Sequence, residues 1–247
     1  MRHRVIPFLS LISGDLVKTV KFKSPNYIGD PINAIRIFNA KEVDELVIQD
    51  IRATINKMTP NFELIRDMAS EAFMPLAYGG GISSLDEIER LFKSGVEKVS
   101  LNSAALINPK IVEMASKNFG AQSVVVALDV KKNMFGENYS VYLKSGKRRY
   151  RLSLDDALRF FEDQGAGEIV ISAISHDGVM SGVDSDLIER CSKILSVPLV
   201  YVGGVGCRQD IENSMQAGSS GTGVGSMFVY KGPRKGVLIS YSNLIDR

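Results

Sequence analysis

The chain has few of the residues that build disulfide frameworks and metal sites. Among its 247 residues there are two cysteines, Cys191 and Cys207, and two histidines, His3 and His176. Neither pair has the spacing of a zinc site, and two cysteines argue against a disulfide framework. We therefore expect no resident metal, no cofactor and a reducing cytoplasmic location.

The chain also lacks a strong charge imbalance and long apolar runs. Its 30 basic and 28 acidic residues give a net charge of +2, which does not indicate a nucleic-acid partner. No run approaches the roughly 18 apolar residues of a membrane span, and the apolar segment near the N-terminus is too short for a signal peptide. With 45% hydrophobic residues, the composition predicts a full globular core.

One phrase occurs twice, 123 positions apart (198 minus 75). Pro75–Ile82 has the sequence PLAYGGGI and Pro198–Val205 has the sequence PLVYVGGV, while Glu45 and Glu168 begin two similar apolar runs at the same offset. An apolar run ending in glycines is typical of a buried parallel strand followed by a loop that approaches something closely. The repeat predicts a duplicated half and a ligand with two similar ends.

Short apolar runs alternate with helical patterns along the chain. Alternation with short connections indicates βαβ units, and eight units in 247 residues fit a closed (β/α)8 barrel of two half-barrels. An open, doubly wound sheet is the alternative, but it does not explain two equivalent halves. No linker divides the chain, so we expect one domain spanning residues 1–247. The predicted strands are Val5–Leu9, Leu46–Ile51, Pro75–Tyr78, Lys98–Leu101, Val124–Asp129, Glu168–Ser172, Leu199–Val202 and Gly221–Val224.

Helices are predicted between most of these strands. Ser84, with Glu87 three residues later, has the pattern of a capping box. The predicted helices are Ile32–Asn39, Asp86–Lys93, Leu154–Phe161 and Asp184–Leu195. Two long insertions, Lys18–Asp30 and Lys131–Arg151, follow the first and fifth strands, and the second resembles a hairpin with a basic turn. In a barrel both lie on the C-terminal face, where active sites form; solvated loops are the alternative.

Glycine turns follow the third and seventh strands. Gly79–Gly81 precedes a helix, and Gly203–Gly206 occupies the position after the seventh strand where barrels often bind phosphate. Backbone N–H groups in such turns favour anions. Asn102-Ser103 and Gly225-Ser226, after the neighbouring strands, complete two anion cups. Tight βα turns without a ligand are the alternative to two phosphate sites.

Carboxylates mark three strand ends. Asp50, Asp129 and Asp177 follow the second, fifth and sixth strands, where they would point into the barrel mouth. A carboxylate there is a candidate acid, base or hydroxyl anchor. The alternative, a loop or cap aspartate, is strongest for Asp177, and Asp129 is the best catalytic candidate.

Charged residues stand at the opposite ends of four strands. They would form a ring at the barrel floor, where partial burial requires mutual pairing. A solvated rim is an equal alternative on the sequence alone. The four residues are Arg4, Glu45, Lys98 and Glu168.

Together these motifs resemble the cyclase subunit of imidazole glycerol phosphate synthase, a (β/α)8 barrel of two half-barrels. The resemblance covers nearly the whole chain. Its motifs are Ile6-Pro7, Val17-Lys18, Gly29–Pro31, Asp44–Val47, Gly79–Ile82, Lys98–Asn102, Val126–Asp129, Gly165–Glu168 and Asp177-Gly178. It implies a glutaminase partner at the barrel floor and ammonia that passes through the barrel to a substrate with two phosphates.

The resemblance also implies roles for individual residues. One phosphate would be held by Gly81, Asn102 and Ser103. The other would be held by Asp177, Gly178, Gly204, Gly225 and Ser226. Lys18 and Asp50 would line the substrate site, and the floor charges Arg4, Glu45, Lys98 and Glu168 would form the gate to the ammonia channel.

One departure from the family pattern bears on function. The family carries catalytic aspartates at the ends of the first and fifth strands, and this chain has Ser10 and Asp129 there. Loss of a general acid or base typically costs about 10²–10⁴-fold in rate. The chain is thus similar to barrel paralogues found with surface-polysaccharide genes, in which ammonia is thought to convert an acetamido sugar into an acetamidino sugar with a third, amide-activating enzyme. The alternatives are a true histidine-pathway cyclase and a non-catalytic ammonia-channelling scaffold.

Overall fold

A computed structural model of the protein describes residues 2–133 and 138–241. The strands are β1 (Arg4–Ile12), β2 (Asp15–Val20), β3 (Lys23–Gly29), β4 (Leu46–Asp50), β5 (Leu76–Gly79), β6 (Lys98–Leu101), β7 (Val124–Lys132), β8 (Tyr139–Leu143), β9 (Arg148–Ser153), β10 (Glu168–Ala173), β11 (Leu199–Val202), β12 (Gly221–Val224), β13 (Tyr230–Lys231) and β14 (Gly236–Val237). The helices are α1 (Pro31–Asn39), α2 (Phe62–Glu71), α3 (Leu85–Lys93), α4 (Ser103–Ile107), α5 (Lys110–Phe119), α6 (Leu154–Asp163), α7 (Ser185–Ser192), α8 (Arg208–Gln216) and α9 (Ser226–Val229), with a 3₁₀ turn at Ala121–Ser123.

Eight of the strands close into a parallel barrel. Strand β1 pairs with β4, and the order continues through β5, β6, β7, β10, β11 and β12 back to β1. All eight pairings in this circuit are parallel. The predicted (β/α)8 barrel is confirmed, and each predicted strand is present within a few residues of its expected ends. That residues 1–247 form one domain stays a prediction, since residues 1, 134–137 and 242–247 lie outside the described part.

The two halves of the barrel begin in the same way. Strand β1 continues into the antiparallel strands β2 and β3, and β7 continues into β8 and β9. Ser10 is the first residue of β1 to pair with β2, and Asp129 is the first residue of β7 to pair with β8. The hairpin predicted after the fifth strand is present. The insertion after the first strand is also a hairpin, and its exposed strand β3 has no apolar run that would have indicated it.

Local signals explain several helix boundaries. At the start of α3, the Ser84 hydroxyl accepts a hydrogen bond from the Glu87 N–H, and Glu87 accepts one from the Ser84 N–H, so the predicted capping box is present. The prediction of Asp184–Leu195 was too long, because Asp184 is the N-cap of α7 and accepts from the Leu187 N–H. None of the described helices is long and apolar enough to cross a bilayer.

Alternation along each strand separates the side chains that point into the barrel from those that point toward the helices. On β1 the side chains of Val5 and Leu9 join the core between the strands and helices, while Ile6 and Phe8 join a separate apolar cluster inside the barrel. We call this set the inner cluster: Ile6, Phe8, Val47, Ala77, Val125, Ala127, Val170 and Val200, with Val202 packed against it. Charged residues lie below the inner cluster and a polar cavity lies above it.

Candidate active site

A cavity of about 180 Å³ opens at the carboxyl ends of the barrel strands. It is lined by every residue for which a role at the mouth was predicted, so the structure brings these residues to one place, while their roles stay predictions. These residues are Ser10, Lys18, Asp50, Gly81, Asn102, Ser103, Asp129, Asp177, Gly178, Gly204, Gly225 and Ser226.

Asp129 is the carboxylate with the most perturbed environment in the cavity. It lies on β7, and surrounding protein encloses its carboxyl group although part of the residue borders the cavity. Burial raises the pKa of Asp129 to about 7; a hydrogen bond from the Asn102 side chain opposes this rise, and the nearby Asp177 charge adds to it. A carboxyl that titrates near neutral pH is suited to general acid or base catalysis.

Ser10 occupies the position on β1 that corresponds to Asp129 on β7. It borders the same cavity and pairs with Gln49 of β4. A serine hydroxyl does not ionise near neutral pH, so the mouth presents one titratable carboxyl from these two strand ends instead of two.

The second anion cup, at β10–β12, has an unsatisfied donor. The Ser226 hydroxyl is buried and has no hydrogen-bond partner. Beside it, a Cβ placed on Gly225 would lie 3.4 Å from the Lys18 ammonium nitrogen. A buried hydroxyl without a partner beside a glycine turn is suited to an anionic group of a ligand.

At two positions of this cup only glycine fits, because the backbone of another segment occupies the place of a Cβ atom. Gly178 has a φ of +70°, and a Cβ there would lie 2.2 Å from the Thr19 carbonyl oxygen. Gly204 has a φ of +83°, and its Cβ would lie 2.0 Å from the Gly182 carbonyl oxygen. Any side chain would displace β2 or the loop that carries Gly182.

The first anion cup, at β5 and β6, differs because another segment of the chain forms hydrogen bonds to it. The Ser103 hydroxyl donates to Asn102 Oδ1 over 3.1 Å and accepts from the Lys144 backbone N–H over 3.2 Å. The Ser145 hydroxyl donates to the Ile51 carbonyl over 3.2 Å. Thus the turn between β8 and β9 lies against the first cup.

The same turn meets the turn between β2 and β3 above the cavity. A Cβ placed on Gly146 would lie 3.2 Å from Ile174 Cδ1 and 3.6 Å from Phe22 Cδ2. The two hairpins, one from each half, therefore roof the mouth between them. The basic turn was expected on this face, but a contact with a distant partner leaves no local signal in the sequence.

Asp177 anchors one of these hairpins. Its carboxylate accepts from the Lys18 ammonium over 2.5 Å, from the Thr19 hydroxyl over 2.7 Å and from the Phe22 N–H over 3.1 Å. The carboxylate is therefore already engaged by the hairpin in this structure, and its pairing with Lys18 neutralises both charges at the cavity wall.

Asp50 is held by local backbone. Its Oδ1 accepts from the N–H groups of Arg52 and Ala53, each over 2.9 Å. This geometry is that of a loop aspartate that stabilises its own turn, and it leaves the other carboxylate oxygen, Oδ2, for a ligand in the cavity.

The four floor charges form a closed ring. Arg4 bonds Glu45 over 2.6 Å and Glu168 over 2.5 Å, and Lys98 lies 3.0 Å from Glu45 and 3.5 Å from Glu168. Burial alone lowers the pKa of Arg4, but the Glu168 and Glu45 carboxylates outweigh it and raise that pKa. We call these residues the charged ring; they are paired with one another, and Glu45 and Glu168 are buried.

Among the described residues, no group of three or more histidine, cysteine, aspartate or glutamate side chains could hold a metal ion.

One residue of the barrel interior that borders the cavity was not among the predicted site residues. Phe8 borders the cavity and belongs to the inner cluster, but its apolar strand context gave no sign of this position.

The sequence is similar to one family of known proteins along nearly its whole length. A family model described as "Histidine biosynthesis protein" matches residues 4–233. A protein of Leptospira interrogans named "Putative imidazole glycerol phosphate synthase subunit HisF" is 43% identical over 248 residues, which cover 100% of this chain and 98% of its own. A Vibrio vulnificus protein, also named as a putative subunit of that synthase, is 46% identical over 242 residues, 98% of this chain and 93% of its own. The imidazole glycerol phosphate synthase subunit HisF of Natranaerobius thermophilus is 36% identical over 232 residues, 94% of this chain and 92% of its own.

Proposed function

The chain belongs to the histidine biosynthesis protein family, and from this premise we propose that it is the barrel subunit of a glutamine amidotransferase with an acceptor outside histidine synthesis. It receives ammonia from a glutaminase subunit docked at the floor and delivers it to a phosphate-bearing acceptor at the mouth. The acceptor is an acetamido sugar nucleotide, which becomes an acetamidino sugar after a third enzyme activates the amide.

The observation that carries the proposal is Ser10 at the mouth above an intact charged ring. The ring keeps two cations and two anions paired at the floor, where a partner subunit would dock. At the mouth, the resemblance predicts a carboxylate where Ser10 lies, so one of the two acid–base groups expected for cyclisation is missing. Ammonia supply is thus supported more strongly than cyclisation.

Two features support a phosphate-bearing acceptor. The Ser226 hydroxyl is buried without a partner beside Gly225 and Lys18. Asp129, whose pKa is about 7, lies in the same cavity and is the remaining candidate for proton transfer.

The experiment that tests the proposal combines the purified chain with a glutaminase of the synthase and the ribulosyl-nucleotide precursor of imidazole glycerol phosphate. We expect glutaminase binding without cyclisation at the rates normal for the family. The variant Ser10→Asp restores the missing carboxylate, and we expect it to raise cyclisation. Cyclisation by the unmodified chain at family rates would overturn the proposal.

Two other functions make different predictions. A true histidine-pathway cyclase, acting through Asp129 alone, would rescue a cyclase-deficient strain, and Ser10→Asp would change little. A non-catalytic channelling scaffold would tolerate Asp129→Asn, whereas Lys98→Ala or Glu168→Gln would alter ammonia transfer.

A further inference from the structure

Phe8 differs in size from the residues that surround it inside the barrel. The other members of the inner cluster are alanine, valine and isoleucine, so Phe8 is the one aromatic side chain among those described there. It is 8% exposed and borders the cavity. On the inward face of β1 it follows Arg4 of the charged ring and Ile6, and it precedes Ser10 at the mouth.

A glycine on the neighbouring strand gives the ring its space. Ile6 of β1 pairs with Gly223 of β12. A Cβ placed on Gly223 would lie 2.8 Å from Phe8 Cδ2 and 2.6 Å from Val202 Cγ2. Phe8 and Val202 therefore meet over Gly223, and the phenyl ring of β1 covers the inward face of β12.

We infer that Phe8 closes the interior of the barrel between the charged ring and the cavity, so that it determines what passes from the floor to the mouth. The inference rests on the proposed function for the identity of the passing molecule, which is ammonia. The inner cluster is apolar, so it excludes ammonium and admits only the neutral form. Phe8 adds a steric barrier at the top of this cluster.

The cavity provides the space into which the barrier can move. Protein interiors are close-packed. The neighbours Gly223 and Val202 belong to strands of the barrel wall, so the phenyl ring of Phe8 cannot move toward them. Because Phe8 borders the cavity, rotation of its side chain toward the mouth would open the passage without displacing a strand.

The first arm of the test uses the chain alone and needs no activity. Crystals of the wild type, Phe8→Ala and the control Val200→Ala are pressurised with xenon. We expect xenon sites that connect the inner cluster with the cavity in Phe8→Ala only. Val200 belongs to the inner cluster but does not border the cavity, so its truncation should leave at most an isolated site. If Phe8→Ala does not fold, Phe8→Val replaces it. Connected sites in the wild type, or a closed interior in the Phe8 variant, would overturn the inference.

The second arm compares two nitrogen sources in the complex with the glutaminase. Glutamine supplies ammonia from the floor, whereas ammonium chloride supplies it from the mouth. The product measured is the acetamidino sugar formed from the acetamido sugar nucleotide. We expect Phe8→Ala to raise the ratio of glutamine-driven to ammonium-driven product at least threefold and Val200→Ala to leave this ratio unchanged. An unchanged ratio in Phe8→Ala would refute a role in passage. If neither source gives product with the wild type, the proposed function fails and the xenon arm alone decides the place of the barrier.

Discussion

Replacing Asp129 by asparagine should make the protein more stable at alkaline pH. The carboxyl is enclosed by protein on β7, and burial is the main reason why its pKa rises from 3.8 to about 7. Asparagine has nearly the same shape, carries no charge and can still accept a hydrogen bond from Asn102. The substitution therefore removes the desolvation penalty of a buried carboxylate without opening a cavity.

The size and the pH window follow from linkage. A pKa difference of about 3 at 1.36 kcal/mol per unit gives roughly 4 kcal/mol as an upper bound, since water at the cavity side screens the charge. In the unfolded chain the group loses its proton near pH 3.8, whereas in the folded protein it keeps the proton until about pH 7. The wild type therefore loses stability relative to Asp129→Asn as the pH rises between these values, and the penalty is complete above pH 8.

Urea unfolding of both proteins from pH 4.5 to 8.5 measures this difference. We expect the free energy of unfolding of Asp129→Asn minus that of wild type to increase by up to about 1.4 kcal/mol per pH unit between pH 5 and 7. Asp67→Asn, at an exposed position of α2, serves as the control and should stay within about 0.5 kcal/mol at every pH. A difference for Asp129→Asn that does not change with pH would refute the reasoning.

Three further substitutions test the fold around the site, each by its urea midpoint. Gly178→Ala should cost about 3 kcal/mol or more because its Cβ meets the backbone of β2, whereas Gly232→Ala, with a similar φ of +72° and no atom within 4 Å, should cost about 1 kcal/mol; equal losses would contradict the steric argument. Ser84→Ala should cost about 1 kcal/mol through loss of the α3 cap, and an unchanged midpoint would show that the cap is dispensable. Lys98→Met should cost about 2–4 kcal/mol, since it leaves the buried Glu45 with Arg4 alone; a neutral result would mean that water replaces the lost cation.

The sequence predicts the barrel better than it predicts the helices around it. Buried parallel strands are continuous apolar runs, so all eight were found, with the repeat fixing their arrangement. Helices α2, α5 and α8 were not predicted, and neither were the short helices α4 and α9. Helix α8 buries only Ile211 and Ser214, so it has no strong apolar stripe in the sequence. Helix α2 packs Phe62, Ile65 and Met68 against the core, so its stripe was present in the sequence and was missed.

The residues at the mouth were predicted because strand ends are visible in the sequence. What each side chain contacts was not, since the partners come from distant segments. Asp177 contacts Lys18 and Thr19, more than 150 positions away. Nor could spacing show that Ser103 is engaged by a hairpin turn while Ser226 has no partner. These differences depend on how two similar halves pack against each other.

The contact between the two hairpin tips limits how far the halves can be exchanged. Phe22 of the first half lies against Gly146 of the second, so one tip carries a phenyl ring where the other carries no side chain. A barrel fused from two copies of either half would lose this contact, because it needs Phe22 from the first half and Gly146 from the second. The two hairpin tips are therefore complementary to each other and not equivalent, although the strands that carry them are arranged alike.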